Sequence, residues 1–381
     1  MSSGSVMIFH NVVWSRHKGV VFSALHNIST ASGIKYSIVQ ISETEHFRLG
    51  FSDVDYSYHR YPMRKLFDGC YEDVPAWRMM YRLTTEVLRT KADLVVLPGY
   101  HRPEYWAMLF ACILTGKRRA VFCDSTGRDS PRRLLTSIPK RVFFALCDGY
   151  FGFGERSREY LMSLGAKRER IFTPCQAAAL PLSFVPEHAL DDRLRARSAQ
   201  DPVFLFVGRL SHEKGVDALI DAFAAIRQRI PEARLRIVGT GPRGEEFQQK
   251  VNDSGLADAV CFVGSQQDEG LSREYFGASC LVLPSLSEPW GLVVNEALNH
   301  GCPAVVSDNC GCVPELVIDG VTGYSFRPGD SASLHRTMLK ALETFADTEK
   351  TARACMEVIG RFDPPNAASN IARGCAVMLT S

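Results

Sequence analysis

Residues 204–223 read F-L-F-V-G-R-L-S-H-E-K-G-V-D-A-L-I-D-A-F. The first four are an unbroken apolar run. The stretch 208–215 holds two glycines and several charges, and from Val216 onward apolar residues recur at helical spacing. An apolar run closed by glycine describes a strand buried on both faces, and the helix after it completes one βα unit of a parallel sheet.

The same alternation extends in both directions. Downstream, L-R-I-V-G (235–239), V-C-F-V-G (260–264), C-L-V-L-P (280–284) and A-V-V-S (304–307) read as strands, separated by helical patterns such as E-E-F-Q-Q-K-V (245–251) and the segment through N-E-A-L-N-H (295–300). Upstream, V-M-I-F-H (6–10), Y-S-I-V-Q-I (36–41), D-L-V-V-L (93–97) and R-A-V-F-C (119–123) repeat the pattern. Strands alternating with helices predict an α/β class of doubly wound parallel sheets. At 381 residues and 46% hydrophobic, the chain suits two domains of about 150 to 200 residues. Pro174, Pro181 and Pro186, followed by D-D-R-L-R-A-R, mark the linker. The expected division is 1–185 and 186–361, with a helix over about 362–381 packing back on the first domain.

Composition excludes several classes. The longest apolar runs fall far short of the roughly 20 residues of a membrane-spanning helix. The opening M-S-S-G-S-V-M-I-F-H has no basic leader and reads as a first strand, so a cytoplasmic location is expected. Most of the twelve cysteines, among them Cys112, Cys123, Cys147, Cys261 and Cys280, sit singly in apolar stretches and are expected to be core thiols. Cys310 and Cys312 form the one close pair, without a second pair at zinc spacing.

Net charge is +2, yet residues 1–185 carry +9 and residues 186–381 carry −7. In P-R-R-L-L-T-S-I-P-K-R-V-F-F-A-L (131–146), Arg132, Arg133, Lys140 and Arg141 flank apolar residues. Two readings stand: an anionic membrane surface as partner, or a core-facing helix with a solvated basic edge, interrupted at Pro139. A basic acceptor cleft that attracts an anionic sugar would also account for the field. No nucleic-acid partner is expected.

In open α/β sheets ligands bind beyond the carboxyl ends of strands, where Gly208, Arg209 and Lys214 lie. Arg209 offers a planar fork of donors and Lys214 a compact charge, both suited to diphosphate oxygens. A second segment, L-V-L-P-S-L-S-E-P-W-G-L-V-V-N-E-A-L-N-H (281–300), places Glu288 in a loop after a strand and Glu296 one turn into a helix. The amides of Gly291, Leu292 and Val293 at that helix start lack intrahelical acceptors and suit an anion or sugar hydroxyls. A carboxylate would be repelled by phosphate, so Glu296 fits ribose hydroxyls better. Gly239, Gly241 and Gly244 spell G-x-G-x-x-G, but the next strand ends in Gly264, Ser265 and Gln266 without the ribose acid of a dinucleotide fold. Gly239 then reads as a close-approach turn beside a nucleotide. D-V-D at 53–55 lacks the strand-end context of a metal motif, and no cofactor or metal is expected. His101 reads as a loop imidazole.

These segments, from F-V-G-R-L-S-H-E-K-G to D-G-V-T-G-Y-S-F, resemble the retaining glycosyltransferases of family 4. The resemblance implies the GT-B architecture, two Rossmann-like domains facing a central cleft. It further implies that Arg209 and Lys214 grip the donor diphosphate, that Glu288 lies close to the transferred sugar and that Glu296 binds the ribose. It also implies that Gly291, Leu292 and Val293 meet sugar and phosphate oxygens and that Val263 borders the nucleobase. The first domain departs from the family pattern. A single Gly19 stands in W-S-R-H-K-G where a Gly-Gly loop is common, and Asp124 stands where many members have His. Asp124 is the weaker candidate for orienting donor or acceptor. The implied reaction moves a sugar from a UDP- or GDP-sugar to a glycan or lipid-linked acceptor, in bacterial surface polysaccharide synthesis. An epimerase of the same fold and a non-catalytic nucleotide-sugar binding protein are the alternatives.

Overall fold

A computed structural model describes residues 4–48, 53–128, 134–198 and 201–380. The chain divides into two compact units, residues 1–179 with 363–381, and residues 180–362.

The first unit contains β1 (Ser5–Val12), α1 (Arg16–Ser32), β2 (Lys35–Ser42), β3 (Met63–Lys65), α2 (Ala76–Arg89), β4 (Leu94–Leu97), α3 (Pro103–Leu114), β5 (Arg118–Cys123), α4 (Leu134–Ala145), β6 (Gly149–Gly152), α5 (Glu155–Ser163) and β7 (Ile171–Phe172). Its seven strands run in the order β3-β2-β1-β4-β5-β6-β7, and every pairing is parallel. One face of the sheet is covered by α2 to α5, through Met79, Leu83, Met108, Leu109, Phe143 and Leu161. The other is covered by α1, through Val21, Phe22 and Leu25, and by the chain's last helix.

The second unit contains α6 (Ala189–Ala196), β8 (Val203–Val207), α7 (Val216–Arg229), β9 (Arg234–Val238), α8 (Gly244–Asp253), β10 (Val260–Gly264), α9 (Asp268–Gly277), β11 (Cys280–Leu283), α10 (Leu292–Asn299), β12 (Ala304–Ser307), α11 (Val313–Leu316), β13 (Gly323–Phe326), α12 (Ser331–Thr344) and α13 (Thr348–Ile359). Its parallel order is β10-β9-β8-β11-β12-β13. The helix α14 (Pro364–Thr380) belongs to the first unit, where Ala367, Ile371, Cys375 and Met378 are fully buried.

Two Rossmann-like parallel sheets are thus present, as the alternation predicts. In each, the first strand lies inside the sheet and the chain winds outward on both sides, β2 and β4 flanking β1 as β9 and β11 flank β8. The gaps β1/β4 and β8/β11 are the topological switch points where such sheets hold ligands.

Some expectations change. Cys261 is exposed, because it alternates outward on β10 at the edge of the second sheet, while ten of the other cysteines are buried and Cys147 is partly so. Pro139 lies inside α4 without ending it. Arg132 and Arg133, half of the basic cluster expected at 131–146, lie outside the described residues. No described helix is long and apolar enough to cross a membrane.

Candidate functional site

The loops after β8 and β11 flank the second unit's switch point, and they are bound to each other. Gly215, at φ 67°, turns the first loop into α7; a Cβ there would stand 2.2 Å from the Pro284 carbonyl oxygen, so the backbones meet where only glycine fits. The Leu286 amide donates to the Glu213 carbonyl at 2.8 Å. This contact brings Lys214 to Glu288, with Nζ 2.5 Å from Oε2 and both side chains mostly enclosed. Each charge thereby has a partner, and the ammonium keeps two further N–H donors for a ligand.

The Glu288 segment is itself strapped down. Gly311 donates to the Glu288 carbonyl and Cys312 to the Trp290 carbonyl, both at 3.0 Å. A Cβ on Gly311 would lie 1.8 Å from the Pro289 oxygen. The Cys310-Gly311-Cys312 segment is therefore a close-packed backbone support, with both thiols buried. Gly291 then caps α10 at φ 105°, with no side chain bonded to the helix start. The first-turn amides of Leu292 and Val293 point out of the helix without intrahelical acceptors, at its positive end.

Arg209 follows Gly208 at the mouth of β8, and its buried Nε has no partner among the described residues. Ser285 Oγ and Asn295 Nδ2 share that condition, in the loop after β11 and in α10. Both residues are fully buried, and Asn295 Oδ1 accepts from Trp290 Nε1 at 2.8 Å. Unpartnered buried donors are uncommon, and these three lie in the loops after β8 and β11 and in the helix that follows. Gly239 supports this loop from behind: a Cβ there would sit 2.0 Å from the Gly208 oxygen, and its φ is 128°. The ends of β8, β9 and β10 are then linked by Gly208 N–H to Val238 O at 3.0 Å and Gly239 N–H to Gly264 O at 2.8 Å. Val263, partly buried on β10, lies next to that junction.

Glu296 accepts a hydrogen bond from the Tyr275 hydroxyl at 2.7 Å. Tyr275, on α9, is buried and stacks on His300 at 5.2 Å. His300 is held by the Glu296 carbonyl at 2.7 Å and by Ser272 Oγ at 2.9 Å. Burial pushes the Glu296 carboxyl up to about 7, against the opposing pull of the Tyr275 hydroxyl. Burial also pushes His300 down to about 4, so the imidazole stays neutral. Sequence reading missed Tyr275, Ser285, Asn295 and His300. A tyrosine 21 residues before Glu296 carries no local signal of the contact; Asn295 and His300 are visible in N-E-A-L-N-H, but only packing gives them partners.

Gly19 and Asp124 belong to the first unit. Gly19 lies inside α1, where a Cβ would stand 3.0 Å from His59 Nε2 and the Tyr58 oxygen, which gives it a packing role. Asp124 is exposed just beyond β5. Its field opposes the burial that brings Lys18 down to about 8 and the burial that depresses His101. Among the described residues, His46, Cys70 and Asp73 form one set of three metal-ligating groups; His46 Nε2 already pairs with Asp73 at 2.7 Å. A cavity of about 700 Å³ between 181–196 and α9 contains none of the expected site residues.

Residues 191–355 match the sequence model of the family Glycosyl transferases group 1. The chain is 34% identical over 167 residues to the sulfoquinovosyl transferase SQD2 of Arabidopsis thaliana, covering 42% of this chain and 31% of that protein. It is 30% identical over 291 residues to the D-inositol 3-phosphate glycosyltransferase of Nocardia farcinica, covering 68% and 62%. The chain thus spans between about a third and three fifths of the length of these relatives. Among solved structures, Anabaena Alr3699/HepE in complex with UDP-glucose superposes with TM-score 0.70 at 18% identity, over 98% of this chain and 99% of that one. That likeness establishes the fold over both units.

Proposed function

We propose that this chain is a retaining glycosyltransferase that takes its sugar from a UDP- or GDP-sugar and delivers it to a glycan or lipid-linked hydroxyl, in the synthesis of a bacterial surface polysaccharide. The observation that carries the reading is the meeting of two loops at one switch point, which sets Lys214 on Glu288 beside an uncapped helix start and the unpartnered Nε of Arg209. The match to the glycosyl transferases group 1 family over 191–355 supports it, as does the UDP-glucose complex of a protein with the same fold.

In the reaction the bond between the anomeric carbon and the donor's phosphate oxygen breaks, the acceptor oxygen bonds to that carbon, its proton passes to the departing diphosphate, and a nucleoside diphosphate leaves. Negative charge grows on the phosphate oxygen. Arg209, Lys214 and the amides of Leu292 and Val293 are fixed donors at the place where it grows, which is where preorganised charge lowers a barrier most. Glu288 holds Lys214 in position and offers its other oxygen to the sugar hydroxyls. Glu296, steadied by Tyr275, accepts from the ribose. Val263 and the glycine turn at 239 border the base. In the first unit, Asp124 orients the donor or acceptor. The countercharge comes from the protein, so no metal is assigned.

Turnover measured over a panel of UDP- and GDP-sugars with glycan and lipid-linked acceptors tests the proposal. Acceptor-dependent release of nucleoside diphosphate with an unchanged anomeric configuration, read by NMR, is the expected result. Sugar conversion without an acceptor identifies an epimerase, and donor binding without turnover of any kind identifies a binding protein. Either outcome defeats the proposal.

A further inference from the structure

The first unit leaves an unusual outer surface on α2, α3 and α4. These helices lie side by side on one face of the sheet, with α3 joined to α4 through Trp106 and Phe143, whose rings meet at 5.1 Å. The inward stripe of α2 is Met79, Leu83 and Val87, as a core-facing helix requires. Its outward stripe should be polar. Instead Trp77, Tyr81 and Leu88 stand at 72%, 67% and 48% exposure. The outer side of α3 continues the patch with Phe110 and Leu114, the latter 83% exposed, and α4 adds Ile138 and Val142. Monomeric proteins seldom expose apolar side chains in such a group unless something covers them.

Charge selects what covers it. The three helices contain two acidic residues, and both turn inward: Glu104 is buried, and Glu86 pairs with Arg64 and Arg82. The basic residues Arg78, Arg89 and Arg141 are exposed among the apolar ones. A second copy of this surface would bring cations against cations. Trp and Tyr interleaved with Arg over an apolar base is the composition that sits at the level of lipid headgroups, rings in the acyl boundary and guanidinium groups on phosphates.

We propose that the α2–α3–α4 face of the first unit docks on an anionic lipid surface. Arg141, at the α4 end of this face, is the part of the basic 131–146 segment that the described residues place there. The inference does not depend on the donor site, so nucleotide binding serves as an independent control.

Flotation of the full chain with vesicles of phosphatidylcholine alone, or with phosphatidylglycerol replacing part of it, tests the proposal. Binding is expected only with the anionic lipid, and it falls with added salt as the surface charge is screened. A variant with Trp77→Ser, Tyr81→Ser and Leu114→Ser is expected to lose at least tenfold in partitioning while still binding UDP or GDP as the parent does. Replacing Arg78, Arg89 and Arg141 by Ser is expected to weaken binding by about fivefold per residue. Absence of flotation by the parent chain at low salt overturns the proposal, and so does flotation that either variant leaves intact. Sedimentation velocity gives the remaining outcome: a dimer of the parent that the Trp77 variant splits would assign the face to a second copy and overturn it too. If a variant no longer binds nucleotide, single substitutions at Trp77 and Leu114 repeat the measurement.

Discussion

The two sheets share one winding plan and differ at their switch points. In the first unit several polar groups around the β1 end pair inside the protein: Tyr105 donates to Asn11 at 2.8 Å, Tyr71 to Glu104 at 2.8 Å, and His59 bridges Val13 O and Tyr61 at 2.7 and 2.8 Å. Lys18 is buried between the rings of Phe122 and Phe153, at 4.6 and 5.0 Å. At β8/β11 the buried groups of Arg209, Ser285 and Asn295 keep unused hydrogen-bonding atoms, and a helix start is left uncapped. The fold supplies the crevice in both units. Residue chemistry separates them: around one, polar side chains pair with each other, and around the other, three buried atoms have no partner among the described residues.

The sharpest way to break this contrast is Lys214→Ala. It removes a donor from the growing charge and strands Glu288, and turnover at saturating donor should fall about a hundredfold or more. Unchanged turnover would end the assignment. Glu288→Ala should also act chiefly on turnover, whereas Glu296→Ala should act on nucleotide affinity; titration of nucleoside diphosphate into both variants checks the division.

Next in size is the backbone. Gly239→Ala drives a Cβ onto the Gly208 oxygen and should destabilise the second unit by about 3 kcal/mol. Gly33→Ala in the first unit, at φ 68° with open space around it, should cost only about 1 kcal/mol. Urea unfolding of the two variants compares them, and equal losses would show that the glycine at 239 is not a close-approach point.

The pH dependence is smaller. Glu296 titrates near 7 because burial disfavours its charge. As pH falls through that value it protonates and loses acceptor capacity, so nucleoside diphosphate binding should weaken by up to about tenfold per unit. Tyr275→Phe removes a bond that favours the carboxylate and should move the midpoint upward. Glu296→Gln should flatten the profile, and calorimetry between pH 5.5 and 8.5 would reveal a profile that persists. The linkage to folding has the opposite direction. The native carboxyl holds its proton to higher pH than the unfolded one, so its contribution to stability declines as pH rises from the unfolded value to about 7.

The smallest effect belongs to the first unit's edge. Asp124→Asn should change acceptor KM by a few-fold and leave nucleotide affinity alone; a large loss of nucleotide affinity would place Asp124 at the donor.

Much of this was legible in the chain. Runs such as F-L-F-V and C-L-V-L announce central strands because burial on both faces demands continuous apolar sequence. The strands that escaped are short or rich in glycine. β3 has three residues with Arg64 and Lys65 at the sheet edge, and β7 has two residues. β6 is G-Y-F-G, and a Cβ on Gly149 would stand 2.4 Å from Met378 Sδ. That glycine exists for a helix 229 positions away, which no local pattern can report. Lys214 and Glu288 were separately assigned to phosphate and sugar; their mutual pairing spans 74 positions and appears only in the folded chain.

The return of α14 to the first unit has a consequence for the order of synthesis. The second unit, residues 180–362, is complete in the nascent chain before α14 has been made. Until then one face of the first sheet lacks Ala367, Ile371, Cys375 and Met378, all fully buried in the finished protein. Units fold as their sequence emerges from the ribosome. The apolar face of the first unit around Phe151 and Phe172 therefore stays without this cover until α14 has been made.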